Sequence, residues 1–589
     1  MNKLSILYPD NQNIGQNNAY KLLSDTTCHD LGLDSICKLL SKKENEQHLI
    51  MRILSQISDD PATANFRADV FEDIMRFPAM RTRIMELLDK IQFLRDFGSF
   101  KTDYDKKAGI WDLLHRLEEI NDYIECVEAL RECLSATDIH SEGLINLRAN
   151  IEKIYNDSYY AQMKADIKNL KADTSSLKSI TVGININERF EVSQIGVISV
   201  NNKPFKHSNI LSNFSQAVAS GGNIGHTADN GHGISGVHNG NEWNGDMHYT
   251  PVEDTSDLSL GNFESAAMAI ATHGFSMAAR SGNSDTLAGM PDKDAGADIT
   301  HYMSKVVGQM LSATVKKLRD VLSNYVNVTI TTITDLIPEF VYYIRFAEFI
   351  ENNLDKNMKF CKAVAVSAQT EKYMSAQGFY NLKLATTEHS DEIVVNDLDF
   401  DLKHMIYILT GANRGGKTTV TQAVGLLYVL AQGGIYVPAE SFEYVPVDCI
   451  YTHFPADEDK TMNLGRLGEE CTRFKELFEA CTDRSLLLLN ETFSTTSFEE
   501  GYYIARDCVR AVLNKGIRTI YNTHMHKLAG DIAEINSDAQ AFKVASLIVK
   551  SEEGKRSFKI EVAPPEGMSY AKDIADKYGV TYEALTKNA

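Results

Sequence analysis

The chain has little of what would mark an extracellular, membrane-embedded or broadly nucleic-acid-binding protein. Its nine cysteines, an odd number in 589 residues, are scattered from Cys28 to Cys508 with no C-x-x-C pair. Neither a disulfide framework nor a zinc ribbon is suggested, and reduced, buried thiols are expected. Nowhere do about 18 apolar residues follow one another, and the start, Met1-Asn2-Lys3-Leu4-Ser5-Ile6, has no apolar core of signal-peptide length. The expected location is cytoplasmic, with no membrane contact. Basic charge is also short: 59 Lys and Arg face 80 Asp and Glu, for a net charge of -21. That balance argues against a sequence-independent grip on nucleic acid, which rests on cations neutralising phosphates, and leaves only a local basic patch. The length is too great for one core and predicts about three or four domains.

Along the chain, prolines are nearly absent from residue 30 to 175, where apolar residues recur at helical spacing: Ile84, Leu87, Leu88 and Ile91, then Leu113, Leu117, Ile120 and Ile124. Ser179 to Ile184 and Ile195 to Val200 read as two short strands around Asn185 to Arg189, a hairpin or small sheet interrupting the helices. Residues 206–300 differ from everything else. Thirteen of the 36 glycines lie between Gly221 and Gly296, and from His207 to Thr300 only Arg280 and Lys293 are basic. A flexible insertion is predicted. Its histidines, His226, His232, His238 and His248, have no ligand spacing and read as solvated loop. From Thr300 the helical stripe returns through Met303, Val306, Val307, Met310, Leu311, Val315, Leu318, Val321 and Leu322, predicting a helix of about 22 residues, roughly 33 Å long. After Phe360 short β runs alternate with helices, the pattern of an α/β nucleotide-binding domain.

The chemistry is concentrated there. Gly411, Ala412, Asn413, Arg414, Gly415, Gly416, Lys417 and Thr418 complete a G-x-x-x-x-G-K-[ST] phosphate loop between an apolar run, Met405 to Leu409, and a helical pattern. Its glycines let backbone N–H groups close around phosphates, Lys417 brings a point charge to the terminal phosphates, and the Thr418 hydroxyl is placed to ligate Mg²⁺. Ser485 to Leu489 form an apolar strand that ends in Asn490 and Glu491. In ATPases of this general kind the first such position serves the Mg²⁺ shell, and the second orients or deprotonates the attacking water. Glu491 fills the second role. Asn490 is uncharged and can serve the metal only through a bound water, which predicts weaker Mg²⁺ binding or slower turnover. Thr519 to Thr523 make a further β run ending in His524, a candidate switch residue for the γ-phosphate.

Together these segments make residues 390–580 resemble the ATPase domain of the MutS family of DNA mismatch-repair proteins. Val395 to Leu398 precede the first strand. Thr410 to Thr419 resemble the family's T-G-P-N-x-G-G-K-S-T, and Gly434 to Ala439 resemble its G-x-x-V-P-A. Leu464 to Glu470 lie where the family has a signature loop around S-T-F-x-x-E, with Glu470 matching and Gly465 in place of the serine. Thr496-Ser497 with Glu500-Gly501, Thr523-His524, and Ser569 to Ala575 with Gly579 match later segments. The resemblance extends more weakly to Leu54 to Ile57 and Phe66 to Asp73, similar to the start of the family's core and lever region.

The resemblance implies an ABC-type α/β P-loop ATPase domain over residues 366–589, C-terminal to a mainly α-helical core and lever region. Residues 1–178 would be core and lever, 179–300 a small β element at the clamp position with the insertion, and 301–365 the returning lever helices. It implies ATP and Mg²⁺ as cofactors and a homodimer through the ATPase domains, with Gly465 reaching the partner's γ-phosphate. Lys417, Glu491 and His524 are the expected catalytic residues, Gly411 to Thr419 and Gly465 the nucleotide ligands, and Thr418 and Asn490 the metal side. Gly465 and Asn490 depart from the family on both halves of a composite site, so slow hydrolysis is expected. The chain begins almost directly with lever helices, without the family's F-x-E mismatch wedge, and stops soon after Gly579. It is therefore expected neither to read mismatches itself nor to carry a nuclease-like extension. Two functions remain open. One is an ATPase whose nucleotide state opens and closes levers around duplex or branched DNA, with Lys164, Lys168, Lys171 and Lys178 as a modest patch. The alternative is a nucleotide-gated protein-binding or assembly switch that engages a partner through residues 206–300.

Overall fold

Strands apolar at every position, not at alternate ones, must be covered on both faces. Three strands of this chain are covered in that way. Ile406–Thr410 (β1), Leu486–Asn490 (β3) and Arg518–Asn522 (β4) are buried at all five positions. With Ile450–His453 (β2), Val544–Glu552 (β5) and Lys555–Val562 (β6) they form a six-stranded sheet in the order β2-β3-β4-β1-β5-β6. Every neighbouring pair is parallel except β5 with β6.

The helix Lys417–Gln432 (α1) follows β1 and covers one face. It is hydrophobic nearly all round because the N-terminal helices cover its outer side. A Cβ on Gly425 would lie 2.5 Å from Leu31 Cδ2 and 2.9 Å from Leu488 Cδ1, one on each side. The opposite face packs on Phe498–Lys515 (α3), whose Ala505, Val509, Val512 and Leu513 meet Ile408, Leu487, Leu489 and Tyr521. Between β2 and β3 lies Arg466–Ala480 (α2). A second, four-stranded sheet contains Val364–Ala365, Ser441–Tyr444, Lys372–Phe379 and Asn396–Asp401 in that order.

A computed structural model of the chain describes residues 5–9, 20–87, 109–174, 179–186, 188, 192–201, 288–289, 312–325, 336–354, 358–367, 372–386, 393–411, 415–455, 466–537, 541–552, 555–565 and 578–586. The expectations for residues 206–300, including the four histidines, therefore lie outside the described residues apart from the short strand Ala288–Gly289. The same is true of Ala412, Asn413, Arg414, Gly465 and the closing segment Ser569 to Ala575.

The chain divides into two compact units, one of Met1–Glu86, Glu132–Asn150 and Thr332–Ala589, the other of Leu87–Arg131 and Ile151–Thr331. In the first, helices Asp25–Leu31 and Pro61–Arg76 pack on the outer side of α1, and Leu33–Leu40, Glu44–Leu54 and Ile337–Leu354 pack around them. Arg67 is fully buried there. Its Nε donates to the Leu7 carbonyl and its Nη1 to the Gln432 carbonyl, both at 2.9 Å, and its guanidinium lies over the Tyr8 ring at 5.0 Å. A buried cation is tolerable when donors such as Nε and Nη1 are used, although Nη2 has no hydrogen-bond partner among the described residues, and this one ties residues 5–8 to the end of α1.

In the second unit Leu113, Leu117, Ile120 and Ile124 are buried together, as their spacing predicts. Ser179–Ile186 and Val192–Asn201 form an antiparallel hairpin. Of the stripe predicted from Met303 onward, Ser312–Leu322 is helical with Val315, Leu318 and Leu322 buried, and residues 301–311 lie outside the described residues. All nine cysteines are free thiols, five of them buried. Burial pushes the Cys28 thiol up to about 11. No described helix is long and apolar enough to cross a membrane.

Candidate nucleotide site

In an open parallel sheet, ligands sit beyond the carboxyl ends of the strands. Here β1 ends at Thr410, the loop follows, and α1 begins at Lys417. Two glycines make that passage possible. Gly411 has φ 141° and Gly416 φ 89°, and a Cβ on Gly416 would lie 3.3 Å from Cδ1 of Phe558. The Lys417 ammonium donates to the Gly411 carbonyl at 3.1 Å, curling back over its own loop, and the residue is 5 % exposed. Burial pushes its pKa down, and the charge of Glu491 opposes that shift. A desolvated cation beside a cluster of N–H groups is a strong attractor for phosphate.

Three side chains converge beside it. Parallel pairing sets Asn490, at the end of β3, next to Asn522, at the end of β4. The Thr418 hydroxyl, in the first turn of α1, donates to Asn490 Oδ1 at 3.0 Å. Asn522 Nδ2 donates to the same Oδ1 and reaches Thr418 Oγ1 at 3.3 Å.

The next residue leaves the strand sharply. Glu491 has φ 52° and Phe493 φ 64°, unusual for residues with side chains. Neighbours hold this strained turn in place. Glu491 N donates to the Asn522 carbonyl at 2.8 Å, Tyr521 Oη donates to the Thr492 carbonyl at 2.7 Å, and Gly501 backs so closely on the turn that a Cβ would lie 2.5 Å from the Phe493 carbonyl. As a result the Glu491 carboxylate faces His524, with Oε1 2.7 Å from Nε2.

Behind the turn, His453 is 2 % exposed. Its Nδ1 is 3.0 Å from Thr492 Oγ1 and its Nε2 3.3 Å from the Glu470 carbonyl. Burial, reinforced by the Arg473 charge, brings its pKa down to about 4, so it is a neutral structural group. The Glu470 carboxyl is pushed up by burial, against a hydrogen bond from Thr495. Thus Glu470, the last residue of the predicted signature segment and helical here within α2, is tied to the turn that carries Glu491.

Gly415, Gly416, Lys417, Thr418, Thr419, Glu491 and His524 line one cavity of about 670 Å³. The same cavity is also lined by the apolar side chains of Phe379, Leu384, Ile393, Val394 and Phe558. The polar groups suit phosphates and the apolar ones the flat face of a base. The donor set also fits Mg²⁺. Thr418 and Asn490 offer hard oxygen atoms, and among the described residues no group of three His, Cys, Asp or Glu could hold an ion instead. Both oxygens are neutral, so a cation here would take its charge compensation from the phosphates.

Most of the residues singled out from the sequence and described in the structure therefore meet in one place. Asn522, Phe558 and the strand-end Phe379 are the additions. Asn522 sits in an apolar run two residues before His524, and its period-two position on the face of Asn490 was a signal that could have found it. Phe558 lies 142 residues from Gly416, which it covers, and nothing local marks it.

The family model for MutS domain V matches residues 407–587, and the model for the MutS2 N-terminal domain matches residues 59–204. A DNA mismatch repair protein MutS of Chlorobium chlorochromatii is 33 % identical over 189 residues, 30 % of this chain and 22 % of that protein. An Endonuclease MutS2 of Thermus thermophilus is 28 % identical over 196 residues, 33 % of this chain and 26 % of that protein. A DNA mismatch repair protein MutS 2 of Haloarcula marismortui is 30 % identical over 198 residues, 33 % of this chain and 20 % of that protein. The chain thus spans about a quarter or less of the length of these relatives.

Proposed function

The chain is a MutS-family protein, and from that premise we propose that it is an ATPase in which nucleotide binding closes two ATPase domains on each other and hydrolysis reopens them, moving helical arms around DNA. The observation that carries this reading is one cavity that Lys417, Thr418, Glu491 and His524 line together with several apolar side chains. Lys417 and the loop N–H groups hold the phosphates. Glu491 positions the attacking water, and His524, with Nε2 2.7 Å from Glu491 Oε1, would sense the terminal phosphate. Mg²⁺, brought with the nucleotide and held by Thr418 and Asn490, would neutralise charge developing on the phosphoryl oxygens. Gly465 of the facing subunit would complete the site through backbone N–H groups, and Ala412, Asn413, Arg414 and Thr419 would complete the cradle.

A second reading keeps the ATPase and makes it a protein-binding or assembly switch, with residues 206–300 as the contact. One observation favours it. The lysines expected to form a phosphate patch are partly neutralised: Lys171 pairs with Glu118 at 2.9 Å and Lys164 pairs with Glu128. Binding to duplex, branched and single-stranded DNA over a salt series separates the two. A steep loss of affinity with salt supports the DNA reading, and no binding at low salt removes it in favour of the switch. ATPase rate and oligomeric state with and without the same DNAs test the shared part.

A further inference from the structure

A carboxamide has an accepting end and a donating end, and the two are not interchangeable at the end of β3. A hydroxyl that gives its lone pairs to a cation must send its proton elsewhere, and beside Thr418 the acceptor is Asn490 Oδ1, 3.0 Å away. Had the Asn490 amide been turned over, its N–H₂ would face that hydroxyl and repel the cation. We propose that Asn522 is the positioning residue that keeps Asn490 oxygen-first toward Thr418, so that a neutral amide performs an acceptor's task in the metal shell. The proposal rests on the reading of this cavity as a Mg²⁺-nucleotide site.

The arrangement is specific to these side chains. Parallel register sets Asn490 beside Asn522, and the Glu491 N–H bond to the Asn522 carbonyl at 2.8 Å fixes the two strand ends. Asn522 Nδ2 donates to Asn490 Oδ1, so that oxygen lies between two donors. Turning Asn490 alone would set its N–H₂ against the N–H₂ of Asn522. Turning both amides would leave the N–H₂ of Asn522 buried without an acceptor, where now only its side-chain Oδ1 lacks a partner among the described residues. Orphaned buried N–H groups are the rarer and costlier of the two. Asn522 is completely buried, so its effect reaches the nucleotide only through Asn490 and Thr418.

A carboxylate has no wrong end, and this provides the test. The quantity measured is the Mg²⁺ coupling, the ratio of the Kd of mant-ADP in EDTA to its Kd in saturating Mg²⁺, which needs no turnover. In the chain with Asn490, Asn522→Ala should lower that ratio about fivefold, the effect of losing one orienting hydrogen bond. Asn522→Leu, which fills the same space and donates nothing, should do the same and serves if the alanine variant does not fold. In an Asn490→Asp background neither substitution should change the ratio, because both oxygens of Asp accept. An unchanged ratio in the first background, or an equal loss in both, overturns the proposal. If the parent chain binds no mant-ADP under either condition, the nucleotide reading itself fails, and the proposal with it.

Discussion

His524 Nε2 lies 2.7 Å from Glu491 Oε1, so the candidate base and the candidate phosphate sensor are hydrogen-bonded to each other. This contact occupies the carboxylate that the chemistry needs, and a γ-phosphate competing for the imidazole would release it. The two residues should therefore separate binding from hydrolysis. Glu491→Gln keeps a hydrogen bond to His524 and cannot take a proton, so nucleotide should bind as in the parent while hydrolysis falls about 10²-fold or more, trapping an ATP-bound dimer. Hydrolysis at the parent rate, followed by phosphate release, would mean that Glu491 is not the base.

Lys417 is the group whose loss should end binding. Lys417→Ala removes a buried cation that donates to the Gly411 carbonyl of its own loop. In a thermal melt, nucleotide at about 100 times its Kd should stabilise the parent by about 2.7 kcal/mol and leave the variant's melting temperature unmoved.

The turn at Glu491 and Phe493 depends on a close approach that only glycine allows. Gly501→Ala would put a Cβ 2.5 Å from the Phe493 carbonyl, so the turn must shift. The expected result is a lower kcat with little change in nucleotide Kd, since the atoms the new Cβ meets first belong to Phe493, Met525 and Thr496, not to the phosphate loop. A matched loss of binding would show that the displacement spreads across the whole site.

Gly434 carries a different burden. Its φ is 79°, and a Cβ would lie 2.3 Å from Arg67 Cβ and 2.7 Å from the Arg67 carbonyl carbon. Gly434→Ala should destabilise the protein by about 3 kcal/mol or more, through strain and the displacement of a buried arginine. Urea unfolding of both chains measures this directly.

Acid should act in two steps. The His453 pKa drops from 6.5 unfolded to about 4 folded, so its contribution is complete above pH 6.5 and is lost as pH falls toward 4. The gap corresponds to about 3 kcal/mol. Glu46, whose bonds to Arg345 and Ser41 outweigh burial, is lowered from 4.5 to about 2, so its contribution holds above pH 4.5 and fades toward 2. His453→Gln should flatten the stability curve between pH 4 and 6.5 and leave the lower step in place. A slope unchanged in that upper window would assign it to other groups.

The amino-acid sequence by itself determined what is contiguous. The phosphate loop, the apolar strand ending in Asn490 and Glu491, the strand before His524 and the hairpin near residue 190 are each short, and their chemistry or periodicity lies within a few neighbouring residues. Tertiary structure alone decided what depends on neighbours far along the chain. It set Asn522 against Asn490, laid Phe558 over Gly416, used Gly501 to back the Glu491 turn, and gave Lys164 and Lys171 glutamate partners. A lysine counts as one positive charge in any sequence. Whether it is free to meet a phosphate depends on which carboxylate the fold brings within a few ångströms of it, and register and packing, not local pattern, set that distance.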